Sequence, residues 1–407
     1  MKRTVGGTPL LPSNAAARIR GAMSDVPMKR LLAVLRGERG AMLRLLEKFV
    51  RAESPSFDKA AVDHFGRLVA AEWKKRGAKI AWLRQSGRGN HLRCEISLGP
   101  TRPKRQILML GHLDTVYRRG TLAKTPFRVA GGRAWGPGTF DMKSGLVQAL
   151  FAVDALRSVG WCPPKRIVCL WTTDEEIGSG SSRKAIEREA RRSDTVLVLE
   201  PSFGSAGRLK TQRKGVGEAE IIAYGRAAHA GINPEKGVNA VHELALQIAR
   251  LMRMNNPRKG VTVQATVLEA GNFTNVIPER ARALLDIRVQ RLADAEKLNR
   301  ELRRLKPILN GARLAVRGGL NRPPLERTAA VAGLFHHAKS LAAEIGISLG
   351  EASTGGGSDG NLTAALGIPT LDGLGGVGEG AHTPREHILV HTLAERAALL
   401  AGLLATL

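Results

Sequence analysis

A histidine and an aspartate two positions apart follow directly after an apolar run in the sequence. The run from Ile107 to Leu110 ends at Gly111, and His112 and Asp114 come next. This spacing is typical of a metal ligand and the carboxylate that orients it at the end of a buried strand. A single histidine at such a place more often has a structural role, so the pair indicates a site only if other ligand-type residues join it.

Further acidic and imidazole side chains occur at comparable places along the chain. Each follows a predicted strand or a glycine-rich loop, and the set comprises Asp141, Asp174, Glu175, Glu176, Glu200 and His382. Because ligands of open α/β sheets bind at the carboxyl ends of the strands, we expect these side chains to lie close together. Taken singly, Asp141 also fits a helix N-cap, and Glu175 and Glu176 a solvated turn. Their conjunction favours an active site.

Such a set of side chains suits metal-assisted hydrolysis. Two imidazoles with several carboxylates suit zinc or a similar divalent ion, and one shared carboxylate suits a two-metal site. Two ions about 3.5–4 Å apart lower the pKa of a water molecule held between them. Another carboxylate must then accept the proton. The adjacent Glu175 and Glu176 fit this division, because their side chains diverge on a turn.

The apolar pattern predicts an α/β domain that is interrupted by a smaller α+β domain. Up to residue 199, strands alternate with helices as in a mixed, mostly parallel sheet flanked by helices. From Gly215 the predicted elements follow in the order β-α-β-β-α-β of a ferredoxin-like unit. We therefore predict a flexible N-terminal extension at 1–27, a discontinuous larger domain at 28–214 and 323–407, and an inserted domain at 215–322.

The composition fits a two-domain globular protein with an unusual charge. The chain has 407 residues and a formal net charge of +27, but its lysines and arginines are spread along the whole sequence. No aromatic RNA-binding motif or zinc-finger spacing accompanies them, so we predict no nucleic-acid partner. No apolar run approaches a membrane span of about 20 residues, so we predict no membrane association. Three cysteines without CxxC spacing, and the lack of a secretory leader, favour a cytoplasmic protein, although the sequence leaves export open.

Eight short motifs make the sequence resemble the M20 family of metallopeptidases, in its glutamate carboxypeptidase branch. The resemblance extends from about residue 40 to the C-terminus and is specific because the motifs occur in order. They are GHLDTVY at 111–117, GPGTFDMK at 136–143, TDEEIG at 173–178, Glu200-Pro201, GRAAHAG at 225–231, NVIP at 275–278 with DIR at 286–288, TGGGSD at 354–359, and His382.

The resemblance implies a zinc-exopeptidase-like catalytic domain with two Zn²⁺ ions per subunit, or Co²⁺ or Mn²⁺ in their place. Asp141 would bridge the two ions. His112 and Glu200 would complete the coordination of one ion, and Glu176 and His382 that of the other.

The resemblance also assigns the residues that support these ligands. Asp114 would orient His112, and Glu175 would act as the general base and later as the acid. The peptide bond after Asp141 is cis in the family.

The inserted domain would be the lid and dimerisation domain of a homodimer. His229 would reach the active site of the neighbouring subunit and stabilise the oxyanion, while Asn275 and Arg288 would bind the terminal carboxylate of the substrate. The substrate would be a small molecule or short peptide with a free C-terminal carboxylate.

The side-chain specificity depends on the cations Arg208, Lys210 and Arg322. Lys210 departs from the family, because we expect a small polar residue at its position. Three cations still favour an acidic side chain, so we predict cleavage of an amide bond before a C-terminal acidic residue, foremost glutamate.

Alternatives remain at this stage. His387 and His391 compete with His382 as the last metal ligand, but residues 388–390 are typical of an extended segment rather than a helix. Another M20 reaction, carried out by an N-acyl-amino-acid deacylase or a dipeptidase, would use the same chemistry with a different pocket. A non-catalytic binding protein of the same fold is disfavoured by the intact ligand set and Glu175.

Overall fold

The computed structural model describes residues 26–99 and 103–407, so most of the predicted extension at 1–27 lies outside the described residues. The described part of the chain contains eleven α-helices. They span Met28–Gly37, Arg39–Arg51, Lys59–Lys75, Thr121–Lys124, Ser144–Ser158, Arg183–Arg191, Ala240–Met252, Leu292–Arg303, Ala329–Glu344, Gly360–Ala364 and Thr392–Thr406. None of these helices combines the length and the apolar character that crossing a membrane requires.

The larger sheet has six strands and carries the chemistry-bearing loops at one edge. Its strands, in spatial order, are Lys79–Leu83, His91–Ile96, Arg166–Thr172, Gln106–His112, Ser193–Val198 and Thr370–Leu371. The last four run parallel to one another, and the first two are antiparallel to their neighbours. The predicted α/β class with a mixed, mostly parallel sheet flanked by helices is therefore confirmed.

The central strand of this sheet is apolar because both of its faces are covered. All seven residues of Gln106–His112 are buried, as expected for a parallel strand between two layers of helices. Gly111 permits a close approach at its end: a Cβ there would lie 2.8 Å from the Met142 sulfur. The backbone N–H of His112 also lies 3.2 Å from that sulfur. The Met142 side chain thus packs the loop of Asp141 against the strand that presents His112.

A second sheet of four antiparallel strands lies within the predicted inserted domain. Its strands, in spatial order, are Thr262–Ala270, Arg280–Val289, Gly215–Tyr224 and Arg313–Arg322. With the helices Ala240–Met252 and Leu292–Arg303 they follow the order β-α-β-β-α-β and enclose a separate hydrophobic core. The last strand ends at Arg322, whose side chain reaches the turn after Arg166–Thr172 in the larger sheet.

Short strands hold the remaining site loops in place. A four-stranded sheet comprises Arg128–Ala130, Arg133–Trp135, His387–Leu389 and Gly378–Glu379, and two-stranded sheets pair Leu209–Arg213 with Glu351–Thr354 and Ala228–His229 with Val276–Ile277. His387–Leu389 is thus a strand, as its sequence indicated. The loop that contains His382 therefore joins two paired strands.

Candidate active site

His112 stands at the centre of a buried group of metal-ligand side chains. Its Nε2 atom lies 3.2 Å from Asp141 Oδ1 and 3.4 Å from Glu200 Oε1. Burial opposes the charged form of this imidazole, but hydrogen bonds to Asp114, Asp141 and Glu200 outweigh it and raise the pKa of His112. A position where carboxylates favour positive charge on an imidazole has the electrostatic character of a cation site.

A second group forms on the other side of the same aspartate. His382 Nε2 lies 3.3 Å from Asp141 Oδ2 and 3.1 Å from Glu176 Oε2. His382 has a φ of 64°, a left-handed conformation that is uncommon outside glycine. Within each group of three, one potential ligand atom from each residue lies within 4.8 Å of the others. The structure thus brings the five predicted metal ligands together, and Asp141 offers one oxygen to each group.

The loop of Asp141 is held by Glu386, which the sequence analysis did not identify as part of the site. The buried Glu386 carboxylate accepts hydrogen bonds from the backbone N–H groups of Gly138, Phe140 and Asp141 at 2.8–2.9 Å. Tyr117 adds a hydroxyl donor at 2.5 Å. Burial raises the pKa of Glu386 to about 7, although these donors lower it. Four donors on one carboxylate fix the backbone before and at Asp141, and the following peptide bond to Met142 is cis.

Asp114 contacts His112 differently from the prediction. His112 Nδ1 lies 2.9 Å from the backbone carbonyl oxygen of Asp114 and 3.5 Å from its carboxylate. The carboxylate instead accepts the Ser56 hydroxyl at 2.7 Å and the backbone N–H groups of Glu175 and Glu176 at 3.2 and 3.3 Å. Asp114 therefore orients the imidazole mainly through its main chain, and its side chain fixes the turn that carries both glutamates.

Glu175 and Glu176 begin a 3₁₀ turn, Glu175–Ile177, and their side chains have different surroundings. Glu176 faces His382, whereas the Glu175 carboxylate lies 2.8 Å from the Arg322 guanidinium. Burial raises the pKa of Glu175 well above its usual value, although Arg322 opposes this change. A raised pKa suits a group that must first accept a proton and later release it.

Four of the five residues of the ligand groups, Asp141, Glu176, Glu200 and His382, line an open cavity of about 430 Å³. Its wall also contains two buried cations, Lys210 and Arg213. Arg213, which the sequence reasoning missed, forms two 2.8 Å contacts with Asp372. Lys210 forms no side-chain hydrogen bond or ion pair with any described residue. Burial, followed by the charge of Arg213, lowers the pKa of Lys210 to about 8.

The other predicted substrate contacts do not line this cavity in the described structure. Arg208 is exposed in the turn before Leu209–Arg213, and the Arg288 guanidinium binds Asp286 at 2.8 Å. His229 and Asn275 are exposed, at the pair of short antiparallel strands Ala228–His229 and Val276–Ile277. Their predicted roles would require another subunit or another arrangement of the two sheets.

The competing histidines lie outside both ligand groups found among the described residues. The His387 ring packs on Trp135 with centroids 4.4 Å apart, and its Nδ1 lies 3.0 Å from the Arg385 carbonyl oxygen. His391 directly precedes the last helix, Thr392–Thr406. His382 is the histidine that the fold places beside Asp141 and Glu176.

Comparison with known proteins decides the family. The sequence profile of peptidase family M20/M25/M40 matches residues 108–406. The chain belongs to this family. It is 31% identical over 411 residues to carboxypeptidase G2 from Pseudomonas sp. (strain RS-16), a match that covers 99% of this chain and 98% of that protein. These similarities place the chain among the M20 hydrolases, in the carboxypeptidase G2-like branch.

Two further proteins that are similar to this chain have names that indicate other activities. Succinyl-diaminopimelate desuccinylase from Paracoccus denitrificans is 34% identical over 211 residues, covering 47% of this chain and 54% of that protein. The solved structure of the aminopeptidase PepT from Bacillus cereus has a TM-score of 0.73 and 24% sequence identity, covering 90% of this chain and 98% of that one. The latter similarity supports the fold of this M20 protein.

The side chains of the two ligand groups have donor atoms that fit a metal centre. The donors are imidazole nitrogens and carboxylate oxygens, which suit zinc and related divalent ions. Glu176 Oε1 is buried and has no hydrogen-bond partner among the described residues. A cation between the carboxylates would satisfy this oxygen.

We predict that Glu386→Gln weakens metal binding about 10- to 100-fold, the range typical of residues that hold metal ligands. In the wild type, backbone N–H groups of the Asp141 loop donate to the Glu386 carboxylate. The glutamine amide group places N–H donors opposite some of these backbone donors, so the loop loses hydrogen bonds that hold Asp141. Titration calorimetry of the metal-free protein with Zn²⁺ measures the change. The exposed Glu344→Gln serves as control, and equal affinities of both variants would contradict the prediction.

Proposed function

We propose that this chain is a two-metal amide hydrolase that releases a C-terminal amino acid, foremost glutamate, from N-acyl or peptidyl substrates. The observation that carries the proposal is the position of Asp141 between two ligand groups, with one carboxylate oxygen directed to each. His112 and Glu200 would bind one ion, and Glu176 and His382 the other. Zinc is our first choice for both positions, with Co²⁺ and Mn²⁺ as alternatives.

Glu175 is the proposed proton carrier of the reaction. When bound, two divalent ions lower the pKa of a water molecule between them and polarise the amide carbonyl. Glu175 lines the same cavity as the ligands but belongs to neither ligand group, so its carboxylate remains available for the proton. It would take a proton from the attacking water and pass it to the leaving amine.

A buried cation supports an acidic substrate. Lys210 lines the cavity without a hydrogen-bonded or ion-paired partner among the described residues, and burial lowers its pKa even though the charges of Asp372, Glu200 and Asp141 oppose this change. A carboxylate on the substrate would compensate the charge of this lysine and would restore its ordinary pKa. The name of the related carboxypeptidase G2 agrees with a carboxypeptidase reaction.

The four-stranded sheet would supply the remaining contacts in a homodimer. Asn275 and Arg288 would bind the terminal carboxylate, and His229 would stabilise the oxyanion in the active site of the other copy. Arg288 belongs to the four-stranded sheet, and His229 and Asn275 lie at the pair of short strands Ala228–His229 and Val276–Ile277. Arg288 already binds one carboxylate, that of Asp286, so an exchange for a substrate carboxylate is chemically equivalent.

A deacylase is the second candidate, favoured by the similarity to a succinyl-diaminopimelate desuccinylase. The succinyl group also ends in a carboxylate, so Lys210 could recognise it from the acyl side of the amide bond. The two candidates therefore differ in which half of the substrate carries the negative charge.

Replacement of Glu175 by Gln tests the mechanism. We expect kcat to fall by about 10²–10⁴-fold, because the isosteric amide cannot accept the proton. Metal content, measured by mass spectrometry of the purified protein, should remain at the wild-type value because Glu175 is not a proposed ligand. Activity near that of the wild type would reject the assigned role.

Substrate specificity is tested with N-acetyl derivatives of glutamate, leucine and lysine, together with an N-succinyl diamino acid. We expect the glutamate derivative to have the highest kcat/KM. Lys210→Met should lower this kcat/KM by about 10- to 100-fold, which corresponds to the loss of one hydrogen bond to a charged group of the substrate. Arg208→Met is the matched comparison and should have a smaller effect, because Arg208 does not line the cavity.

Two outcomes would change the assignment. Faster turnover of the leucine or lysine derivative would reject the acidic C-terminal residue. Preference for the succinyl compound, lost in Lys210→Met, would favour the deacylase.

A further inference from the structure

Arg322 has a position that links the two sheets at the active site. It is the last residue of the strand Arg313–Arg322 and pairs with Val216 on the neighbouring strand Gly215–Tyr224. Its side chain points back to the larger sheet and is only 5% exposed. A buried guanidinium at this junction needs several acceptors, because each unsatisfied N–H group is costly away from water.

Both terminal nitrogens of the Arg322 guanidinium contact the turn that follows strand Arg166–Thr172, and one of them also contacts Asp359. Nη1 lies 2.8 Å from Glu175 Oε1 and donates to Asp359 Oδ1 at 3.0 Å. Nη2 donates to the Glu175 carbonyl oxygen at 2.7 Å and to Ser179 Oγ at 2.8 Å. Each terminal nitrogen thus has two acceptors, and no terminal N–H remains for a substrate carboxylate.

The partners of Arg322 are themselves fixed. The buried Asp359 accepts hydrogen bonds from the hydroxyl groups of Thr172, at 3.1 Å, and Ser179. Ser179 and Glu175 lie at opposite ends of the turn, and the guanidinium contacts both of them. Asp114 holds the same turn through the backbone N–H of Glu175.

We propose that Arg322 is a positioning residue that holds the side chain and the carbonyl group of Glu175 in the geometry required for proton transfer. One terminal nitrogen of its guanidinium contacts the Glu175 carboxylate, and the other donates to the Glu175 carbonyl oxygen. A lysine could supply the charge but could not make both of these contacts in the same geometry. Since Arg322 ends a strand of the four-stranded sheet, it also fixes the place of the proposed base relative to that sheet.

This inference rests on the proposed role of Glu175 and differs from a direct role of Arg322 in substrate binding. A substrate contact would mainly change KM. A positioning residue changes kcat, because a displacement of about 1 Å at a reacting group costs about 100-fold in rate.

The test compares Arg322→Lys with Arg317→Lys, a control on the same strand whose side chain is 73% exposed. For Arg322→Lys we expect a kcat about 100-fold lower, a KM within about threefold of the wild type, and unchanged metal content. Its crystal structure should show a displaced Glu175 carboxylate with His112 and Asp141 in place. Arg317→Lys should match the wild type.

A second variant, Ser179→Ala, keeps every charge and serves if Arg322→Lys does not fold. It removes one acceptor of the guanidinium, so we expect the same pattern with a smaller loss of kcat, about tenfold. A raised KM with unchanged kcat in either variant would overturn the inference in favour of a substrate contact.

Failure of the proposed function would give a separate result. If the wild type hydrolyses none of the four substrates, the proposed function fails. The crystal structure of Arg322→Lys then becomes the only test of whether Arg322 positions Glu175. A displaced Glu175 would then support the inference, and an undisturbed Glu175 would overturn it.

Discussion

The active site depends on one carboxylate, Asp141, which two groups of side chains share. Its Oδ1 faces His112 and its Oδ2 faces His382, at 3.2 and 3.3 Å. The two imidazoles come from positions 270 residues apart in sequence, so the fold must bring a strand of the larger sheet and a late loop to opposite sides of one residue. Much of the surrounding structure serves this arrangement, since like-charged carboxylates converge only where hydrogen bonds and cations compensate them.

Three buried polar networks hold the loops around these carboxylates, one at the loop of Asp141 and two at the turn of Glu175 and Glu176. The Glu386 carboxylate accepts hydrogen bonds from backbone N–H groups in the loop of Asp141. The Asp114 carboxylate accepts hydrogen bonds from the backbone N–H groups of Glu175 and Glu176. Arg322 closes the same turn from the four-stranded sheet. Fully satisfied networks of this kind hold ligand geometry to within a fraction of an ångström, which both metal binding and proton transfer demand.

The larger sheet, and the position of ligand-type side chains at the ends of its strands, could be predicted from the sequence because both follow short-range rules. An apolar run followed by Gly111 and His112 predicts a buried strand with a polar end, and the structure has that strand. Long-range contacts carry no such local signal. Nothing near Glu386 in the sequence indicates that it binds the backbone of the Asp141 loop, and nothing near Arg322 indicates its partners Glu175 and Asp359, which meet it only in the folded chain. Likewise, burial separates Lys210 from the exposed Arg208, two cations that the sequence presents as equals.

The most direct test of the central claim is a crystal structure of the zinc-loaded protein with anomalous data collected on both sides of the zinc edge. The account predicts two anomalous peaks about 3.5–4 Å apart, with one Asp141 oxygen bound to each, His112 and Glu200 on one ion, and Glu176 and His382 on the other. A single peak, or two peaks that do not share Asp141, would contradict it.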